Sequence, residues 1–196
     1  MQKNMNFLNL ATQSRTIRFF DTSKIVSEDE INYILECARR TPSAANLQRI
    51  RYITISGDEA KKAFGKISLG GYLPESEKPT ESDAAPLYIV VFAENKPLDV
   101  NLSIDVGINA QTIALAASEN GLGSCMIRNF DSEYFASLVD SADYVPVLVI
   151  AVGHPSQKAC IVDIEADESV KYYKNEFSVN CVPKRKLNDL ILKKIQ

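Results

Sequence analysis

Apolar positions mark out the elements of this chain before anything else does. Between Ser27 and Arg40, Ile31, Ile34, Leu35 and Ala38 recur at i, i+3, i+4 and i+7, the stripe of a helix that buries one face. Ser27 with Glu30 three residues on makes a capping box at its start. Arg39 and Arg40 suit its C-terminal end, and Pro42 stops it. The period then drops to two in Arg51–Ser56 (RYITIS), which predicts a strand with Tyr52 and Thr54 on one face and Ile53 and Ile55 on the other. Asp58–Ile67 predicts a weaker helix. Leu87–Ala93 (LYIVVFA) is a continuous apolar run, the pattern of a strand buried on both faces.

From Leu102 to Gly123 the pattern is helical again. Ile104, Ile108, Ala110, Ile113, Ala114 and Ala117 leave little of its circumference polar. Such a helix belongs in a core or in a subunit interface. Gly121 or Gly123 would end it in the left-handed conformation. Ser124–Ile127 reads as a short strand, Ser132–Val139 as a helix, and Val145–Gly153 as a long buried strand. Helices alternate with buried strands, so the class is α/β or α+β. Ser68–Pro86 is the exception: three prolines and little periodicity make it a lid or a disordered segment.

At 196 residues the chain is expected to be one domain, 1–196. Hydrophobic residues at 45% and charged residues at 24% match an ordinary globular protein with a core that needs no staple. The net charge of −3 hides an asymmetry: Lys171–Gln196 nets +5 and the remainder −8. A basic tail can mean nucleic acid. This one keeps Tyr172, Tyr173, Phe177 and Val179, and no dedicated motif accompanies it, which argues against nucleic-acid binding. The four cysteines (37, 125, 160 and 181) include no close sequence pair, so zinc-knuckle and CxxC patterns are absent. Their apolar flanks predict core thiols in a reducing cytoplasm. No apolar run approaches the ~20 residues that span a bilayer, and the N-terminal stretch lacks a signal-peptide core.

Side-chain catalysis has little to work with. A triad would have to use His154, a lone histidine after the last long strand, read as a surface or capping residue. The glycines of GLGSC lie between a helix and the following strand, the wrong order for a dinucleotide loop, and FGKIS lacks the earlier glycine of a P-loop. No catalytic side chain and no metal site are therefore assigned, and a bound cofactor would have to supply the chemistry. In SRTIRFFD (Ser14–Asp21), Arg15 and Arg18 flank Thr16. Two guanidiniums and a hydroxyl within four residues can clamp a phosphate, or simply form a solvated basic turn. PKRK (Pro183–Lys186) is a second basic cluster.

Taken in order, SRTIRFFD, ARRTPSAANLQ, DVGINAQTIALAASENGLGSCMIRNFD, VLVIAVGHP and VKYYKNEFSVNCVPKRKL resemble the nitroreductase family of flavin mononucleotide (FMN) oxidoreductases over nearly the whole chain. The resemblance implies an α+β fold with a mixed central sheet flanked by helices. It also implies a homodimer with FMN sites at the interface, and a C-terminal strand exchanged between subunits. It implies phosphate and ribityl contacts from Arg15, Thr16 and Arg18, closed by Lys184 and Arg185 from the tail. Pro42, Ser43, Ala44, Asn46 and Gln48 would lie against the isoalloxazine from the other subunit, and Met126, Ile127 and Arg128 would run beside the ring.

The implied activity is hydride transfer from NADH or NADPH through flavin N5 to a nitro compound, quinone or enone by a ping-pong route. The Ser68–Pro86 lid would leave the pocket open. A flavin-binding storage or sensor protein with little turnover is the alternative, and a phosphate-binding module without flavin a third reading. Three positions depart from the family pattern, the first being Ser14, where relatives usually have another basic residue. Arg49 stands where Pro-Trp or Pro-Leu begins in relatives, and Arg128 where an uncharged or acidic pair is usual; they suggest an anionic substrate or face solvent.

Overall fold

The computed structural model describes residues 6–70, 73–96 and 99–195. Its centre is a four-stranded antiparallel sheet in the order β1-β2-β4-β3. The strands are β1 (Ile50–Ser56), β2 (Leu87–Glu94), β3 (Gly123–Ile127) and β4 (Tyr144–Gly153). β2 and β4 are the inner pair, so side chains on both faces are covered and the sequence reads as unbroken apolar runs. Alternate residues of β2 feed two separate cores. Leu87, Ile89 and Val91 pack with Leu148, Ile150 and Val152 against the helices α2 (Glu28–Arg39) and α4 (Val100–Glu119). Tyr88, Val90 and Phe92 pack with Val149 and Ala151 on the other face. There they meet α3 (Asp58–Phe64), α5 (Ser132–Ala136) and the chain around Ile17 and Phe20.

The local signals work as their chemistry requires. Ser27 Oγ accepts from the Glu30 N–H, and the Glu30 carboxylate accepts from the Ser27 N–H at 2.8 Å, closing the capping box of α2. Asp99 caps α4 by accepting from the Leu102 N–H at 2.7 Å. Gly121 ends that helix at φ 74°, where a side chain would be strained. α4 is apolar nearly all round, yet the chain covers only part of it: Ile104 is 54% exposed and Ile108 38%.

The mixed pairing expected of the fold sits in a second sheet. Here β5 (Ala159–Ile164) runs parallel to β7 (Asn180–Arg185), and β6 (Tyr173–Lys174) is antiparallel to β7. The C-terminal strand, expected to add to a partner's sheet, is thus paired within its own chain. That register sets Cys160 beside Cys181, with the sulfurs 3.7 Å apart, so two cysteines distant in sequence are neighbours; all four remain free thiols.

Two short elements complete the order, α1 (Phe7–Gln13) at one end and α6 (Leu187–Leu190) at the other. Among the described residues no helix is long and apolar enough to cross a membrane. His154 serves the backbone, its carbonyl accepting the Asp21 N–H at 2.9 Å.

The segment expected as a lid packs, in its described part, against the body of the chain. Residues 71–72 lie outside the described residues. The remainder forms two single 3-10 turns, Glu75–Glu77 and Glu81–Asp83, and buries Ala84 and Ala85. It borders a separate cleft of about 760 Å³ between the starts of α2 and α3. The reason is a backbone tie: the Phe20 N–H donates to the Asp83 carbonyl at 3.1 Å and holds the segment against that edge.

Candidate functional site

The segment after α1 is laid along the free edge of β3. Thr16 bridges Ser124 in parallel, and the Ile17 N–H donates to the Ser124 carbonyl at 2.9 Å. The Gln157 Oε1 accepts from both the Arg18 and Phe19 N–H groups, at 3.0 and 3.2 Å. These bonds fix Arg15 and Thr16 beside the start of β3 and opposite the tail.

There they line a cavity of about 330 Å³ with Ser14, Gln111, Met126 and Lys184. Arg15 and Lys184, far apart in sequence, supply two cations. No carboxylate is among the lining residues. Hydroxyls come from Ser14, Thr16 and Ser124. The Arg15 Nη2 donates to the Ala11 carbonyl, while its Nε is buried and without a partner among the described residues. Partial burial lowers the Arg15 pKa, so an anion that restores its lost solvation would be favoured there. A second cavity of about 210 Å³ adjoins the first, sharing Ser14, Arg15, Ala114 and Ser124.

The remaining expected residues are distributed unevenly. Arg18 is turned away from the cavity, its guanidinium 4.8 Å above the Tyr172 ring, a cation–π contact that occupies it. Arg185 donates to the Ala166 carbonyl, and Lys186 pairs with Glu165. Of the tail cluster, therefore, Lys184 alone is among the cavity's lining residues. Met126 is 40% exposed and faces the cavity; Ile127 is buried in the core; Arg128 is exposed. Ser14, Gln111 and Ser124 were missed in the sequence because isolated polar residues beside apolar runs carry no motif.

Pro42, Ser43 and Ala44 lie elsewhere, against the N-terminal turns of α4 beside Ile104 and Asp105. From Asp105 to Ala114 at the clamp cavity is nine residues of helix, roughly 13 Å of rise. The loop is unusual. Ala45, Asn46 and Gln48 all have positive φ (50°, 54° and 51°), without a glycine. Each such residue costs on the order of 1 kcal/mol, and strain of this kind persists only where surroundings over-determine it.

The anchors are visible. The Asp105 Oδ1 accepts the Ala44 N–H at 3.0 Å, and Ser43 Oγ accepts the Gln48 N–H at 3.1 Å. Arg49 forks onto Asp99 at 2.8 and 3.3 Å. Arg49 therefore neither faces solvent nor offers its terminal nitrogens to a ligand: it fastens the loop to the α4 cap. That hydrogen bond also holds the Asp99 carboxyl down at about 2.

A profile of the nitroreductase family matches residues 11–154, most of the chain. The chain belongs to the nitroreductase family. The nitroreductase-family stretch covers both the clamp segment and the strained loop. Among curated proteins, an FMN reductase (NADPH) of Bacillus subtilis is 26% identical over 192 residues, spanning 89% of this chain and 76% of that one. Among solved structures, an FMN-dependent nitroreductase from Clostridium difficile R20291 has a TM-score of 0.62 at 24% identity, covering 78% of this chain and 89% of its own. The FMN-dependent nitroreductase NfnB from Mycobacterium smegmatis, solved with NADPH, has a TM-score of 0.62 at 18% identity, with 76% and 87% coverage. These likenesses establish the nitroreductase-type α+β fold.

Proposed function

We propose that this chain is an FMN-dependent oxidoreductase that moves hydride from NAD(P)H to a small acceptor, a nitro compound, quinone or enone, in a ping-pong sequence. The observation that carries the reading is the cavity, without a carboxylate among its lining residues, where Arg15 and Lys184 converge and the buried Arg15 Nε has no partner among the described residues. That donor set fits a phosphomonoester: planar forks and ammonium groups are the usual partners of phosphate oxygens. Arg15, Thr16 and Lys184 would hold the FMN phosphate, and Ser14, Gln111 and Ser124 offer hydroxyl and amide groups to a polyol. Bound FMN would supply the redox chemistry, taking up hydride from the nicotinamide and passing it on.

The chain's own part is binding, orientation and electrostatics. The cavity is lined by Ser, Thr, Gln, Ala, Val, Met, Arg and Lys, and its lining residues include no histidine or carboxylate to shuttle a proton. Its cations offset the charge of the phosphate, and fixed dipoles there cost no reorganisation during reaction. One shared site for donor and acceptor means the first product leaves before the second substrate enters.

The geometry also favours a homodimer. In one chain the strained loop and the clamp stand at different parts of α4. Val100, Ile104 and Ile108, spaced i, i+4, i+8, leave an apolar stripe exposed between solvent and loop. Pairing these stripes would bring the loop of one subunit, with Pro42, Ser43, Ala44, Asn46 and Gln48, to the other's clamp. Leu187, Leu190, Leu192 and Ile195, all exposed after β7, give the tail an apolar surface for embracing a partner. A cytoplasmic setting suits a protein with four free thiols and a nicotinamide donor.

The test begins with the purified protein. It is expected to bind FMN and to lose its visible flavin absorption when NADH or NADPH is added anaerobically. Bound FMN that neither nucleotide bleaches would overturn the enzyme reading in favour of flavin storage. Arg15→Ala is expected to weaken FMN by about 1.5–3 kcal/mol, the scale of a charge-assisted hydrogen bond. FMN affinity unchanged in that variant would remove the phosphate clamp.

A further inference from the structure

The second sheet brings together two thiols that the sequence keeps apart. Cys160 of β5 and Cys181 of β7 are register partners in the parallel pair. Their sulfurs are 3.7 Å apart, the Cys160 thiol donating to Cys181 Sγ. The Cys181 thiol donates in turn to the Val179 carbonyl. Neighbouring strands lie about 4.7–4.9 Å apart, and disulfides span Cα separations of about 4.4–6.8 Å, so the backbone already stands at a bridgeable distance. A bond of about 2.05 Å asks the sulfurs to close by roughly 1.7 Å, which rotation about the two Cα–Cβ bonds with a small give in the strands supplies.

Other uses of the pair fit less well. Structural zinc takes about four ligands, and among the described residues no group of three or more His, Cys, Asp or Glu side chains could hold a metal. A nucleophilic cysteine needs an acidified thiol, whereas burial and the adjacent Cys181 thiol raise the Cys160 pKa. Tyr173, opposite Cys181 on β6, also has its pKa raised, chiefly by the Cys181 thiol, and places no charge beside the pair at neutral pH. Proximity, not thiol acidity, therefore sets these two apart. The other cysteines are isolated from each other: Cys37 packs against the core on one face of the central sheet, and Cys125 lies in the core on the other.

Exposure orders the two sulfurs. Cys160 is half-buried, while Cys181 is 3% exposed. We propose that Cys160 and Cys181 form a thiol–disulfide site that a small-molecule disulfide closes, pinning β7 to β5. The Cys160 thiolate attacks the S–S bond of the oxidant, forming a mixed disulfide and releasing one thiolate. The Cys181 thiol gives up its proton to solvent and attacks the Cys160 sulfur, releasing the second. Two protein thiols are oxidised, and one small disulfide is reduced to two thiols. The closed bond seals the loop that carries β6 and Tyr172, the residue that holds Arg18. It also keeps β7, with Lys184, on its own chain's β5 and out of reach of a partner's sheet. The site stands on two thiols of one chain and does not depend on the flavin reading.

The full-length protein, reduced and then incubated for hours with oxidised glutathione, is denatured, alkylated with N-ethylmaleimide and mapped by mass spectrometry. The expected product has lost two hydrogens, carries alkyl groups on Cys37 and Cys125, and yields a peptide joining Cys160 to Cys181. Dithiothreitol should restore all four thiols. Amide hydrogen exchange in β7 is expected to slow about tenfold on oxidation and to recover on reduction, because the strand can no longer part from β5. Four free thiols after the treatment, a lasting glutathione adduct on Cys160, or a link through Cys37 or Cys125 would each overturn the proposal. So would exchange in β7 that the bond leaves unchanged. Every measurement uses the unmodified protein, so a misfolded variant cannot decide the outcome.

Discussion

Gly123→Ala tests how the clamp is built. Gly123 opens β3 opposite Gly153, and a Cβ on it would lie 2.6 Å from Ile17 Cγ1 and 2.8 Å from Ile17 Cβ. Carbon atoms in contact prefer about 3.5–4.0 Å, so Ile17 must yield by roughly 1 Å. A change of rotamer would not remove the clash, because Ile17 Cβ itself is inside the limit. Ile17 is buried and its N–H is tied to the Ser124 carbonyl, so the backbone has to move. Overpacking of this kind costs about 1–3 kcal/mol.

The displaced residue follows Arg15 and Thr16 directly. A shift of about 1 Å takes a 2.9 Å charged hydrogen bond out of range, so most of its ~1.5–3 kcal/mol is lost and FMN should bind about 10- to 150-fold more weakly. Urea denaturation measures the first effect, and quenching of FMN fluorescence the second. Gly107→Ala is the control. A Cβ there meets nothing within 4 Å inside the chain, and replacing a mid-helix glycine should stabilise by about 0.5–1 kcal/mol. A Gly123→Ala protein as stable as the parent, with unchanged FMN affinity, would refute the claim that Ile17 wedges the clamp in place.

Other expectations can be checked with the same preparations. Lys184→Ala should weaken FMN, while Lys186→Ala, which removes only the partner of Glu165, should leave it within twofold; equal losses would mean that the tail acts by net charge. Asp99 titrates at about 2 in the folded chain, below its ordinary value of 3.8, chiefly through the Arg49 hydrogen bond. A depressed carboxyl adds stability that is present above pH ~3.8 and lost as pH falls toward about 2. Acid denaturation curves should therefore be flatter across that window in Arg49→Met, and identical slopes would exclude the pair as their source. Ile104→Glu should convert a dimer to monomer in sedimentation and lower FMN affinity; an unchanged dimer would place the interface elsewhere.

What the sequence discloses depends on how local the cause is. The capping box of α2, the aspartate-free apolar run of β2 and the left-handed stop at Gly121 are each settled within a few residues, and the structure has them in place. The family resemblance rested on an order of such segments and survives for the same reason. The tail could not be read this way. Whether β7 pairs with a partner or with β5 depends on strands some twenty residues apart in sequence, and an alternating run fits either edge.

The clamp shows a finer limit. Arg15 and Arg18 look equivalent in SRTIRFFD, but Tyr172, more than 150 residues away, captures one of them. Asp105 and Asn109, at i and i+4 on a helix, have the spacing of a solvated polar face. They are instead the most deeply buried polar groups of α4, because the loop after α2 folds over them. The same fold-over explains Arg49. It departs from the family pattern not by adding a charge to the pocket but by bolting a strained, glycine-free loop to the cap of α4.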